Sequence, residues 1–179
     1  TQNSAFGRGA LDANTTGNYN MAFGSHALGA NTTASANVAV GYQALTATTT
    51  GEYNTTIGYQ SGLANTTGQN NTFLGDRSGY ANTTATANTF VGSVAGYANT
   101  TGTANVALGY QALKANTTAN NNTAVGYNAL TANTTGTGTA VGTSALAANT
   151  TGTNNNAFGY QSLDANTTGG DNSAFGQEA

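Results

Sequence analysis

The sequence repeats itself every seventeen residues along its whole length. One representative copy, residues 105–121, reads NVALGYQALKANTTANN. We call the bulky apolar residue of each copy, here Leu108, its anchor. The spacing between anchors is seventeen residues except from Val125 to Val141, where it is sixteen. A fixed short period indicates one structural unit copied many times. The anchors are Phe6, Phe23, Val40, Ile57, Leu74, Val91, Leu108, Val125, Val141, Phe158 and Phe175.

Other positions of the repeat are equally regular. Gly follows the anchor in all eleven copies, and Asn stands three residues before it in every copy but one, where Gly138 replaces it. The tripeptide Asn-Thr-Thr closes each complete copy, with Thr48 as the one replacement of its Asn. A disordered low-complexity chain has no reason to keep such positions. The regularity therefore indicates an ordered fold.

The local pattern favours short strands joined by turns. The segment Asn-x-Ala-anchor alternates and carries β-branched or bulky residues, which is typical of a strand. Gly suits a bend, residues 110–115 (YQALKA) predict a second short strand, and Asn-Thr-Thr predicts a turn. Two strands and two turns in seventeen residues make one coil of a parallel β-solenoid. The sequence thus predicts an all-β β-roll of about ten coils, with residues 1–179 as one repeat domain roughly 50 Å long.

Stacked coils place like residues above one another. Asn side chains in register are expected to form ladders of hydrogen bonds. The one-residue deletion falls at Thr137 and Gly138, and we expect it in an exposed turn. The first and last copies resemble interior copies, so we expect this uncapped domain to be part of a longer fibre.

Three consecutive copies change two positions together. Most copies have Ala before the anchor and Leu five residues after it, as in Ala107 and Leu113. When this Leu becomes Gly, a larger residue replaces the Ala. This exchange is typical of a volume-conserving swap in a packed interior, so the two positions are expected to face each other inside the coil. The pairs are Thr56 with Gly62, Phe73 with Gly79 and Phe90 with Gly96.

Strand alternation then places the anchors outside. If Ala107 points into the coil, Leu108 points out of it, and so do the other ten anchors. A stable monomer does not leave so long an apolar stripe in water. We therefore predict that the anchor stripe is a self-association surface.

The composition excludes several functions. Charged residues are 5% of the chain, the net charge is −3, and there is no Cys. This leaves no disulfide, no thiolate metal site and no basic footprint for nucleic acid. No apolar run reaches membrane-spanning length. Titratable residues are scattered, and Asp12 and Asp164, which share one position, lie nine coils apart. We expect no enzyme activity, no cofactor and no metal site.

The motifs resemble two kinds of fibre repeat. The phrase Asn-x-Ala-anchor-Gly-x-x-Ala, as in NVALGYQA at residues 105–112, resembles the head repeats of trimeric autotransporter adhesins (YadA-like). GYNALTANTTG at residues 126–136 resembles repeats of bacterial and phage tail-fibre-type proteins. The resemblance implies a left-handed parallel β-roll, three chains about one axis and a role in surface attachment. The period of this chain is longer than that of the adhesin heads, with the extra residues in the Asn-Thr-Thr turn.

The turns carry a regular row of N-x-[ST] sequons. The first reading is that their Asn residues serve turn geometry and laddering, and the second is that they bear glycans. Carbohydrate, attached or bound, is therefore one expected partner. The candidate glycan sites are Asn14, Asn31, Asn65, Asn82, Asn99, Asn116, Asn133, Asn149 and Asn166.

Two further columns leave alternatives open. Tyr stands two residues after several anchors, where it either packs beside the Gly or offers an aromatic surface for sugars. The two Thr of each turn form stacked columns that resemble the ice-binding faces of antifreeze proteins. Ice binding is therefore the alternative function. The Tyr residues are Tyr42, Tyr59, Tyr110, Tyr127 and Tyr160.

The expected function is structural. The sequence favours a stiff spacer or display segment of an extracellular, cell-surface or virion-surface fibre. Its expected partner is itself, as a homo-trimer or a filament, with no nucleic acid and no direct membrane insertion.

Overall fold

The chain winds as a parallel β-solenoid. The computed structural model describes residues 2–179, and among them it contains eleven strands and no helix. The strands form one parallel sheet in sequence order, so every strand pairs with the next one along the chain. The predicted all-β solenoid of about ten coils is confirmed. The strands are β1 (Ser4–Phe6), β2 (Met21–Phe23), β3 (Val38–Val40), β4 (Thr55–Ile57), β5 (Thr72–Leu74), β6 (Thr89–Val91), β7 (Val106–Leu108), β8 (Thr123–Val125), β9 (Gly138–Val141), β10 (Asn155–Phe158) and β11 (Ser173–Phe175).

The strand register keeps like residues on one another. Leu108 pairs with Val125, and Val125 pairs with Val141 across the shortened copy. The missing residue is taken from the bend before the strand. In the two neighbouring coils this bend contains one left-handed residue, which is Asn121 with φ of 59° in one coil and Asn154 with φ of 57° in the other. Gly138, which was expected in the turn, instead begins β9 and pairs with Asn155.

The predicted second strand is wrong. Residues 110–115 turn instead of extending, because Gln111 and Leu113 adopt left-handed φ angles of 57° and 53°. The Ala112 N–H donates back to the Gly109 carbonyl at 3.3 Å, which closes a tight turn, and Leu113 N–H donates to the Ala129 carbonyl of the next coil at 3.0 Å. Each coil therefore has one strand, and closely spaced left-handed residues wind the rest of it around a narrow interior.

The interior is filled by small residues and one larger one per coil. Ala107, Ala112 and Leu113 are completely buried in their coil. In the exceptional coils the rings of Phe73 and Phe90 are completely buried in their place. The coils that contain these rings have Gly where other coils have the buried Leu. The predicted exchange of volume between the position before the anchor and the Leu position is therefore confirmed.

The glycines opposite the rings show how tight this fit is. A Cβ added at Gly79 would lie 2.8 Å from the ring of Phe73, and one at Gly96 would lie 2.4 Å from the ring of Phe90. Both distances are shorter than any van der Waals contact between carbon atoms. The large residue and the Leu therefore compete for one volume.

The Gly after each anchor is required by the stacking itself. Gly109 has φ of 137°, and a Cβ on it would lie 2.4 Å from the carbonyl oxygen of Gly126 in the next coil. The backbones of successive coils touch here, and the φ angle is one that side chains avoid. The invariance of this position follows from both conditions.

The Asn of the turns forms a buried ladder. Asn116 Nδ2 donates to Asn99 Oδ1 of the preceding coil at 2.7 Å and to the Ala119 carbonyl of its own turn at 3.1 Å. The same pair of bonds recurs along the column, as at Asn99, which donates to Asn82 Oδ1 and to the Gly102 carbonyl. The predicted ladder is confirmed for this column.

The Asn before each strand forms a second ladder that runs mainly through the backbone. Asn105 N–H donates to Asn88 Oδ1 at 2.9 Å, and Asn105 Nδ2 donates to the Ala119 carbonyl at 2.9 Å. At the shortened coil Gly138 N–H still donates to Asn122 Oδ1 at 2.8 Å. The two ladders together fix both sides of the turn to the neighbouring coils.

Thr48 interrupts the turn ladder and leaves a defect. Its hydroxyl donates to the Asn65 carbonyl at 3.0 Å, but it has no second donor to reach back to the preceding coil. As a result, Asn31 Oδ1 is buried without a hydrogen-bond partner. A buried unpaired acceptor costs about 1–3 kcal/mol.

Restoring the ladder should stabilise the chain. We expect Thr48→Asn to raise the free energy of unfolding by about 1–2 kcal/mol, because its Nδ2 can donate to Asn31 Oδ1. Urea unfolding measures the change. Thr50→Asn, on an exposed side chain of the same turn, is the matched control and should change stability by no more than about 0.5 kcal/mol. Equal effects of the two substitutions would contradict the defect at Asn31.

The interior exchange can be tested by a double substitution. Phe90→Ala alone should cost about 3–5 kcal/mol because it leaves a cavity. Gly96→Leu alone should also destabilise, since its side chain meets the Phe90 ring. Together they recreate the arrangement of Ala107 and Leu113, so the double variant should be more stable than either single variant. Unfolding free energies that simply add would show that the two positions do not share a volume.

Candidate functional site: the strand face

The outer surface of the sheet is the strongest candidate for a functional site. In each strand the middle residue of the last three points into the coil, and the residues on either side of it point outward. Ala107 is completely buried, whereas Leu108 is 47% exposed. The predicted direction of the anchors is therefore confirmed. We use the term strand face for the anchor stripe together with the residues two places before each anchor.

The second column of the strand face is also uncharged. It consists of hydroxyl, aliphatic and amide side chains, and Met21 and Val106 are its exposed apolar members. Neither column contains an ionisable residue, so the strand face presents only short polar side chains and apolar side chains to water. The column is Ser4, Met21, Val38, Thr55, Thr72, Thr89, Val106, Thr123, Thr139, Asn156 and Ser173.

Aromatic anchors stack along the rod. The rings of Phe6 and Phe23 have centroids 4.8 Å apart and an interplanar angle of 12°. Those of Phe158 and Phe175 lie 5.0 Å apart and parallel. Phe6 and Phe175 are nevertheless 69% and 71% exposed. Stacking on a neighbour along the rod thus leaves much of each ring in contact with solvent.

The Tyr column lies beside this face. Tyr42 stacks on Tyr59, and Tyr110 stacks on Tyr127, each pair with centroids 5.4 Å apart. All four rings are also exposed, and the Arg77 guanidinium lies 5.6 Å from the Tyr59 ring centroid. The rings therefore pack on one another beside the Gly column while keeping one surface open.

The two Thr columns of the turns differ from each other. The first Thr of a turn donates its hydroxyl to the carbonyl of its counterpart in the next coil, as Thr100 does to Thr117 at 2.9 Å. The second Thr is exposed in every turn, as Thr101 and Thr118 are. Only one of the two columns thus presents free hydroxyl groups to solvent.

Seven of the nine candidate glycan sites are not accessible in the folded chain. Seven inner turns contain this Asn, and in each of them it is completely buried. Its Nδ2 donates within the ladder, as described for Asn116. Asn14 and Asn166 are half-buried, and their Nδ2 atoms donate in the same manner. A glycan on Nδ2 would break these bonds, so N-glycans at these positions are incompatible with this structure. The buried sites are Asn31, Asn65, Asn82, Asn99, Asn116, Asn133 and Asn149.

The titratable residues do not converge. Asp12 and Asp164 are exposed and separated along the rod by nine coils. His26 lies 3.0 Å through its Nε2 from Arg8 Nη2. Residues 2–179 contain no group of three or more potential metal-ligating side chains. Within the same range there is no apolar helix of membrane-spanning length.

The shortened coil opens a polar recess of ≈ 410 Å³ in the surface. It lies where β9 lacks the left-handed residue of its neighbours, so that Asn121 and Asn154 flank a gap. The sequence indicated the deletion but not the recess. The lining residues are uncharged: Asn121, Thr137, Gly138, Thr139, Asn154 and Asn156.

Comparison with known proteins gives no family. No protein-family model matches the chain, and neither the curated proteins nor the solved structures contain a match. The adhesin-like and tail-fibre-like motifs therefore stay a resemblance, and function has to be argued from the strand face.

Proposed function

We propose that this chain is a structural segment of an extracellular or virion-surface fibre, assembled from copies of itself through the strand face. It serves as a stiff spacer or display surface for attachment and has no catalytic role. The observation that carries the proposal is the outward direction of all eleven anchors, illustrated by Leu108 at 47% exposure against Ala107 at 0%.

The strand face has the properties of an incomplete interface. Six of the eleven anchors are exposed, and contiguous exposed apolar surface is typical of an interaction site. Two columns of eleven residues give 22 outward side chains, within the range of about 20–30 residues per side of a stable interface. The absence of charge from both columns removes the desolvation cost that ionised groups impose on burial.

Stiffness follows from the bonding of each coil to the next. The strand, both Asn ladders and the first Thr of each turn all form bonds between coils. A rod bonded on every side resists bending, which suits a spacer. The resemblance to trimeric adhesin heads supports the surface role and implies three chains, while the strand face by itself requires only another copy.

Ice binding is the second candidate because one Thr column is exposed in every turn. The second Thr of each turn, including Thr101 and Thr118, repeats at the strand spacing of about 4.8 Å. Against it stands the first column, whose hydroxyls are engaged with the backbone. Thermal hysteresis of the purified protein, measured by nanolitre osmometry, distinguishes the two functions: the fibre proposal expects none.

Self-association is tested by charge on the strand face. We expect the protein to sediment as an oligomer and Leu108→Asp to weaken association at least about 100-fold, because a carboxylate would be buried without a partner. Since Leu108 points outward, the variant should retain the circular dichroism of the parent. Analytical ultracentrifugation over a concentration series measures the change.

The matched control is Thr118→Asp, which adds the same charge on an exposed turn away from the strand face. It should leave the dissociation constant within about twofold, because exposed charges contribute little. A parent protein that is monomeric at high concentration, or equal effects of the two substitutions, would overturn the proposal.

A further inference from the structure

The outward residues of the strand face follow a symmetric order. Read from β1 to β11, the anchors are Phe, Phe, Val, Ile, Leu, Val, Leu, Val, Val, Phe, Phe. The order is the same in reverse, except that Ile57 in β4 is matched by Val125 in β8, and both are β-branched. The centre of the symmetry is Val91 in β6.

The second column of the face has the same centre. Ser4 matches Ser173, Thr55 matches Thr123, and Thr89 in β6 is the centre. In two further symmetry-related pairs one residue is Val and the other is Thr, and these two side chains have nearly the same shape. Met21 with Asn156 is the one pair that differs in kind.

The symmetry is confined to the strand face. Inside the coil the enlarged residues Thr56, Phe73 and Phe90 occupy β4, β5 and β6, so their centre is β5 and not β6. In the Tyr column Asp76 would be matched by Tyr110. A duplicated or inverted pattern of the whole repeat would appear in every column. The symmetry therefore belongs to the surface that faces outward and not to the chain as a whole.

We propose that two copies of this chain pack strand face to strand face in antiparallel orientation, about a two-fold axis that lies along β6. This inference rests on the proposed self-association and adds its symmetry. Such an axis sets coil n of one copy against coil 12 − n of the other, so that the anchor stripes of the two copies face each other. Phe6 then faces Phe175 of the second copy, and Leu74 faces Leu108.

A two-fold interface is self-complementary by definition, and this face meets that condition. In a parallel assembly each coil faces its own counterpart, which places no requirement on how β1 relates to β11. Only the antiparallel arrangement relates those two strands and so accounts for the symmetric order.

The position of the large side chains fits the same arrangement. Val, Leu and Thr near β6 allow close approach at the axis. The exposed rings of Phe6, Phe23, Phe158 and Phe175 lie in the outer coils, where the axis sets ring against ring.

Single cysteines on the strand face test the orientation, because the protein has no Cys of its own. Thr55→Cys and Thr123→Cys lie on β4 and β8, which the axis brings together. Across the interface, residue 55 of one copy and residue 123 of the other lie on opposed sheets about 10 Å apart. Residue 55 of one copy and residue 55 of the other are in addition displaced from each other by about 19 Å along the rod. A short bismaleimide linker spans the first separation and not the second.

The two variants are refolded together from urea, one of them labelled with ¹⁵N, and treated with the linker. We expect a crosslinked dimer of one labelled and one unlabelled chain in the mixture, and loss of the crosslink to background in either variant alone. Thr118→Cys on the exposed turn is the control for random collision and should stay at background.

Crosslinking of either variant alone would show a parallel assembly and overturn the inference, while self-association would stand. An oligomer in which neither the mixture nor the single variants crosslink would overturn it as well. If the cysteine variants and the parent all sediment as monomers, the proposed function itself fails.

Discussion

Direct stacking of each residue on its own counterpart is the constraint on which this structure depends. At a coil spacing of about 4.8 Å, a residue is acceptable only if it fits the residues at the same position of the coils above and below. Asn satisfies this by donating from one coil and accepting from the next, and Phe satisfies it by stacking its ring. Gly109 satisfies it by having no side chain where the carbonyl of Gly126 approaches.

The same constraint separates stability from function. Contacts along the rod, made by ladders, strands and the filled interior, hold the coil together without using the outer side of the sheet. The strand face is therefore free to vary without loss of these contacts, and its columns are the ones with a symmetric order. The interior instead compensates within each coil, as Phe90 and Gly96 do.

The period and the paired changes at the interior positions were sufficient to predict the solenoid, its interior and the direction of the anchors. The second strand was mispredicted because residue type does not reveal that Leu113 adopts a left-handed backbone. The sequons left glycosylation open as a second reading because turn residues are normally exposed, whereas this turn folds its Asn into a ladder between coils. The symmetric order of the anchors can be read from the sequence, but the structure was needed to add the second outward column that shares its centre.

Four of the six phenylalanines lie on the outer surface that we propose a second copy covers, and two lie inside the coil. Fluorine NMR of protein labelled with 3-fluorophenylalanine, recorded over a dilution series, tests this proposal directly. If a second copy covers this surface, the resonances of Phe6, Phe23, Phe158 and Phe175 shift as the assembly dissociates, while those of Phe73 and Phe90 do not. Six resonances that ignore dilution, or that all shift together, would contradict it.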